Sequence, residues 1–264
     1  FRALRWSAVA VLFNDGPVFI GLAEAVAAGE WARALGHAYH PLYPVLTAAV
    51  HAVIGDWELA AVTVNVIAGT AAVGCLYGFT RAAFGPTTAF AAAAILAVHP
   101  HAIEFSGDVQ SEGLYLGLFL GAVWALWRAL QSASLTAALL AGVLCGLAYL
   151  TRPEGIGLLA VGGVMAAWYA LRRSWSPRRA ATWGALLFLA AACVSAPYLA
   201  WLRVETGDWA LTQKKPIGWV IGVSGPDLPI APEAASVPPP PDTGAHEAAP
   251  SVPWSATGSS PPWW

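Results

Sequence analysis

The sequence predicts an all-α, polytopic helical membrane protein, on three observations. Six apolar runs of 17 to 22 residues recur along the 264-residue chain, hydrophobic residues make up 58% of it, and charged residues only 11%. A helix needs roughly 20 residues to cross a hydrocarbon core about 30 Å thick, and only a helix satisfies its own backbone hydrogen bonds there. The mean hydropathy of +0.60 is far from that of a soluble domain.

The elements follow in chain order. Phe1–Phe13 is apolar over 13 residues, does not begin with Met, and carries Arg2 and Arg5. No small-residue cleavage site follows it, so it reads as the truncated end of a first spanning helix rather than a signal peptide. The runs Leu59–Thr80, Thr87–Ile103, Gly113–Leu130, Ser134–Thr151, Gly155–Leu171 and Ala180–Trp201 then bring the expectation to about seven spanning helices. Between them and the first lies a long outer loop holding interfacial helices. Pro17–Ala28 has apolar residues at helical spacing, and Leu42–Ile54 is too short to cross.

Charge sets the orientation. Arg81, Arg128 and the cluster Arg172, Arg173, Arg178 and Arg179 occupy every second connection, which the positive-inside rule assigns to the cytoplasm. All 15 acidic residues, from Asp15 to Glu247, then fall on the outer face. If Leu42–Ile54 crossed, Arg81 would face outward and the rule would fail. Residues 1–215 are therefore expected to form the transmembrane domain, itself incomplete, and residues 216–264, rich in Pro, Ala and Ser, a largely disordered outer tail.

The net charge of −2 leaves no basic surface for nucleic acid apart from the arginine cluster, which topology explains. Cys75, Cys145 and Cys193 lie inside apolar runs without paired spacing, which disfavours disulfide or zinc chemistry. The chemistry-bearing residues gather in the outer connections. Asp15 follows the first apolar run directly, on a turn before Pro17. It suits a helix cap, and a carboxylate at the membrane surface also suits a general base. In the second outer connection, His101, Glu104, Asp108 and Glu112 would share one face of a continuous helix. Three carboxylates on such a stripe need a compensating partner, and a divalent cation such as Mg²⁺ or Mn²⁺ is a candidate beside plain solvation. Glu112 opens an apolar helix, where an ionisable group is costly. Arg152 and Glu154 flank Pro153, either as an ion pair or with the guanidinium presented to a lipid phosphate. His40 precedes Pro41-Leu42-Tyr43, with His37 and His51 nearby.

In order, these pieces resemble the membrane-embedded GT-C glycosyltransferases of the protein O-mannosyltransferase and aminoarabinose transferase type (glycosyltransferase family 39 or 83). The likeness spans roughly residues 1–215. It rests on Asp15 after the first helix, HPLYPVL at 40–46, GDWE at 55–58 before a helix ending in YGFTRAAFG, SGDVQSEGLYLGLF at 106–119 and LAYLTRPEG at 147–155. The resemblance implies an inverting hexosyl- or pentosyltransferase that takes a polyprenyl-phosphate sugar as donor. It implies two catalytic residues, Asp15 as base and Glu112 at the acidic position opening the later helix. His40, Tyr43, Glu104, Asp108, Arg152 and Glu154 are the expected substrate contacts, with Arg152 and His40 meeting the leaving phosphate. Members often carry Lys or Arg where this chain has His40, and have more spanning helices. The expected setting is a multi-pass protein of the cell membrane, with its active face periplasmic or extracellular and an acceptor that is protein, lipid or glycan. A transporter or lipid-linked-sugar flippase, or an inactive fragment, is the alternative. A transporter would be expected to place charges near the midplane in broken, repeated helices, whereas here the acids cluster toward one surface.

Overall fold

The computed structural model describes Arg2 and residues 15–213. Among them, ten α-helices and one 3-10 turn succeed one another without a strand. α1 (Gly16–Ala27), α2 (Trp31–Leu35) and α3 (Leu42–Ile54) precede the long α4 (Trp57–Phe84). α5 (Pro86–Val98) and α6 (Pro100–Gly107) follow, then α7 (Ser111–Ser132) and α8 (Leu135–Thr151). The 3-10 turn Pro153–Ile156 leads into α9 (Gly157–Leu171), and α10 (Pro177–Thr206) is the last described helix.

The all-α polytopic class is what the structure shows. α4, α7, α10 and the stretch Pro153–Leu171 are long and apolar enough to cross a membrane, and α5 with α6, bent by 54°, makes five if counted as one span. α8 is apolar but has 17 residues, roughly 26 Å at the helical rise, a little short of a ~30 Å core. The first apolar run, except Arg2, and the segment 216–264 lie outside the described residues, so the described spans number four or five where the sequence predicted about seven.

Local chemistry places the boundaries. The Asp56 side chain accepts from the Leu59 amide at 2.7 Å and caps α4, and Gly55 before it closes α3 at φ +79°. Ser134 and Ser176 cap α8 and α10 in the same way, each accepting an amide at 3.3 Å. Pro86 and Pro100 stand in the first turns of α5 and α6, where a missing N–H costs nothing. Small residues then let the spanning helices approach closely. A Cβ on Gly142 of α8 would come within 2.3 Å of the Leu187 carbonyl oxygen of α10, and one on Gly117 of α7 within 2.6 Å of the Ala68 carbonyl oxygen of α4. Lipid tails offer no hydrophobic advantage to helix association, so such backbone contact carries the packing.

The turns alternate between two ends. One end holds Gly55–Asp56, Asp108–Gln110, Arg152 and Asp208; the other holds Gly85, Ala133 and Arg172–Ser176, and there Arg179 Nη2 donates to the Ala133 carbonyl at 3.0 Å. These are the acid end and the arginine end. Arg2, the first basic residue of the chain, stands outside this alternation. Arg2 is buried and donates through Nη1 to the Ala102 carbonyl and to Ser106 Oγ of α6, because a buried guanidinium requires acceptors.

A buried amide organises the acid end. Asn65, fully buried in α4, donates through Nδ2 to the carbonyls of Gln110 at 2.6 Å and Asp108 at 2.9 Å and to the Tyr43 hydroxyl at 3.0 Å. Its Oδ1 accepts from the Leu114 amide at 3.0 Å. One side chain thus pins both sides of the break between α6 and α7. Asn65→Leu, which keeps the branched shape but neither donates nor accepts, would strand these partners, and the expected cost is ~2 kcal/mol or more. Thermal unfolding in detergent reads it as a Tm several degrees lower, and an unchanged Tm would remove Asn65 from this role.

Candidate active site

Asp15 is the residue before α1, but its side chain makes no capping bond; the main-chain carbonyl alone takes the Phe19 amide, at 3.1 Å. The carboxylate instead lies near the Tyr39 phenol and acts on its protonation. Tyr39 lies on the connection from α2 to α3, its ring stacked on Phe19 of α1 at 4.6 Å. Its phenol pKa is pushed up to about 12, first by burial, then by the hydrogen bond and charge of Asp15 and the charge of Glu112, with Arg152 opposing. A raised phenol pKa favours the neutral form in the folded state. That contribution is complete below the ordinary value near 10 and is lost as pH rises through about 12. Tyr39 is therefore a neutral hydrogen-bond donor at physiological pH. Asp15, Glu112 and Arg152 all act on the charge state of this one phenol, although they come from segments far apart in the chain.

Arg152 lies between α8 and the 3-10 turn. Its Nη1 donates to Glu112 Oε1, its Nε lies 3.5 Å from Glu154 Oε2, and its guanidinium sits 5.9 Å from the centre of the Tyr115 ring. Burial works to lower its pKa, but the two glutamates outweigh it and the pKa rises, so the guanidinium stays charged. Glu112, in the first turn of α7, also faces the positive end of that helix. The Arg152 and Glu112 side chains are 24% and 31% exposed, open enough to meet a ligand.

His40 and Tyr43 stand behind this group. His40 is 2% exposed, with Nδ1 2.6 Å from the Tyr149 carbonyl and Nε2 3.3 Å from Thr212 Oγ1, and its ring meets Tyr149 edge-on. Tyr43 is fully buried, donates to the Ala61 carbonyl at 3.2 Å and packs edge-on against Phe19. Both tie the connection bearing Tyr39 to the bundle.

The acidic stripe does not form. α6 ends at Gly107, and Asp108 and Gln110 are extended, so the helix that would align four residues is broken. Glu104 turns to His101, 3.4 Å away and largely exposed; Asp108 is buried; Glu112 turns to Arg152. These carboxylates do not converge, and among the described residues no three His, Cys, Asp or Glu are grouped to hold a metal ion. Three contributors were not singled out from the sequence. A lone amide in an apolar run is the available signal for Asn65; Tyr39 and Tyr115 offer none, since tyrosines are common at membrane interfaces.

The arrangement can remove a proton at Asp15 and offer a fixed positive charge at Arg152. A family model described as dolichyl-phosphate-mannose-protein mannosyltransferase matches residues 37–201, more than half of the chain, and includes every residue of this group except Asp15. No curated protein matches the chain.

Proposed function

The chain belongs to the dolichyl-phosphate-mannose-protein mannosyltransferase family, and we propose that it transfers a sugar from polyprenyl phosphate to an acceptor hydroxyl or amine at its acid end, on the periplasmic or extracellular face. The observation that carries this reading is the grouping of Asp15, Tyr39, Glu112 and Arg152 at one end of the apolar bundle. Asp15 takes the acceptor proton as the acceptor attacks the anomeric carbon. The bond from that carbon to the phosphate oxygen breaks, and the phosphate departs with the electron pair. A single displacement inverts the anomeric centre.

Negative charge grows on the leaving phosphate, and Arg152 meets it with a forked donor already oriented by Glu112 and Glu154. Tyr39 holds the Asp15 carboxylate in place, and His40 and Tyr43 fix the connection that carries it. A divalent cation between Glu112 and Glu154 would have to displace Arg152, so no step is routed through one.

The test is transfer from radiolabelled polyprenyl-phosphate mannose in membranes expressing the chain. Label is expected to move to an acceptor with cleavage of the sugar–phosphate bond. Label that crosses the bilayer while remaining on its lipid would establish a flippase and overturn the proposal.

A further inference from the structure

Away from the acid end, α4, α7 and α8 enclose an apolar groove of about 640 Å³. It extends from Leu114 past Gly117 and Gly121 to Arg128, ~21 Å along α7. Among the described residues Arg128 is its one charged lining residue, and Asp15, Glu112 and Arg152 do not line it. The groove therefore presents its ionic chemistry at the arginine end only.

Two further cavities adjoin that mouth. Arg81, Arg128, Tyr77 and Trp124 border one of about 490 Å³; Arg128, Gln131, Ser132 and Ser134 border another of about 700 Å³. Trp124 is seated closely against α4, since a Cβ on Gly78 would lie 2.7 Å from its ring, and the Arg128 guanidinium lies 6.0 Å over that ring. Arg81 and Arg128 are exposed, and neither forms an ion pair among the described residues. The sequence places no Asp or Glu between residues 59 and 103 or between 113 and 153 to neutralise them.

Two guanidinium forks beside hydroxyl and amide donors match a phosphate, and the groove offers an apolar slot for a hydrocarbon chain. We infer that this is a binding site for an anionic phospholipid of the leaflet at the arginine end, with its phosphate against Arg81 and Arg128 and one acyl chain laid toward Leu114. Charge complementarity selects this occupant. The lipid of a sugar donor would instead bring its phosphate to Arg152, outside the groove.

Native mass spectrometry of the full chain, with phosphatidylglycerol or phosphatidylcholine added in detergent, tests it. Phosphatidylglycerol is expected to be retained at least ~5-fold better, an advantage of ~1 kcal/mol, about that of one arginine near an anionic surface. Arg81→Gln with Arg128→Gln should abolish the preference. Gly121→Leu, whose Cβ meets nothing closer than 3.7 Å, should fill the slot and lower retention of both lipids, and inorganic phosphate should not compete. Equal retention of the two lipids, a preference that survives the double substitution, or loss of the preference in Arg152→Gln alone would overturn the inference.

Discussion

Asp15→Asn is expected to lower sugar transfer by ~10²–10⁴-fold, the range typical of losing a general base, with membrane insertion and Tm close to those of the unmodified chain. The small structural effect follows from geometry. The Asp15 side chain caps no amide of α1, so the helix loses nothing when the charge is removed. Asparagine keeps the size and polarity of the side chain near the Tyr39 phenol and loses only the charge. What disappears is the ability to take a proton. Tyr39→Phe separates position from chemistry: it leaves the carboxylate but removes the donor that holds it, and a loss of ~10-fold, the scale of one hydrogen bond to a charged group, is expected. Transfer assayed at matched expression reads both. Full activity in Asp15→Asn would remove Asp15 as the base; equal losses in the two variants would make positioning, not proton transfer, the dominant contribution.

The parts of this molecule that the sequence revealed are those governed by one physical variable. Run length and polarity placed the boundaries of α3, predicted at Leu42–Ile54 and found there, because a 13-residue apolar segment ended by glycine leaves little freedom. The alternation of arginines and acids likewise foretold the two ends of the bundle, Arg2 excepted. What could not be read were contacts that depend on tertiary approach. The expected alignment of Glu104, Asp108 and Glu112 assumed an uninterrupted helix, but Asn65 satisfies the main chain of Asp108 and Gln110 and makes a break affordable. Arg152 offered Glu154 as the visible partner, two residues away. Glu112, 40 residues earlier, becomes its partner only because α7 and α8 pack side by side.

That pairing gives the second large effect. Arg152→Gln removes the cation proposed to meet the leaving phosphate and leaves Glu112 and Glu154 facing each other without it. A fall in transfer of ~10²–10³-fold, the scale of losing one oriented donor, is expected, with a lower Tm as well. Glu112→Gln should cost less, ~10-fold, a change typical of a residue acting through another, because Glu154 still holds the guanidinium from its other edge. If Glu112 acts through Arg152, the double variant should be no worse than Arg152→Gln alone. The resulting non-additivity of ~1.4 kcal/mol lies within the range for contacting residues. The exchange Glu112→Arg with Arg152→Glu restores opposite charges at the same place, so it should recover much of the Tm while transfer stays low, since the cation no longer faces the phosphate. Strictly additive losses in the cycle would mean that Glu112 contacts substrate independently; recovery of transfer in the exchanged pair would reduce the two residues to a structural ion pair.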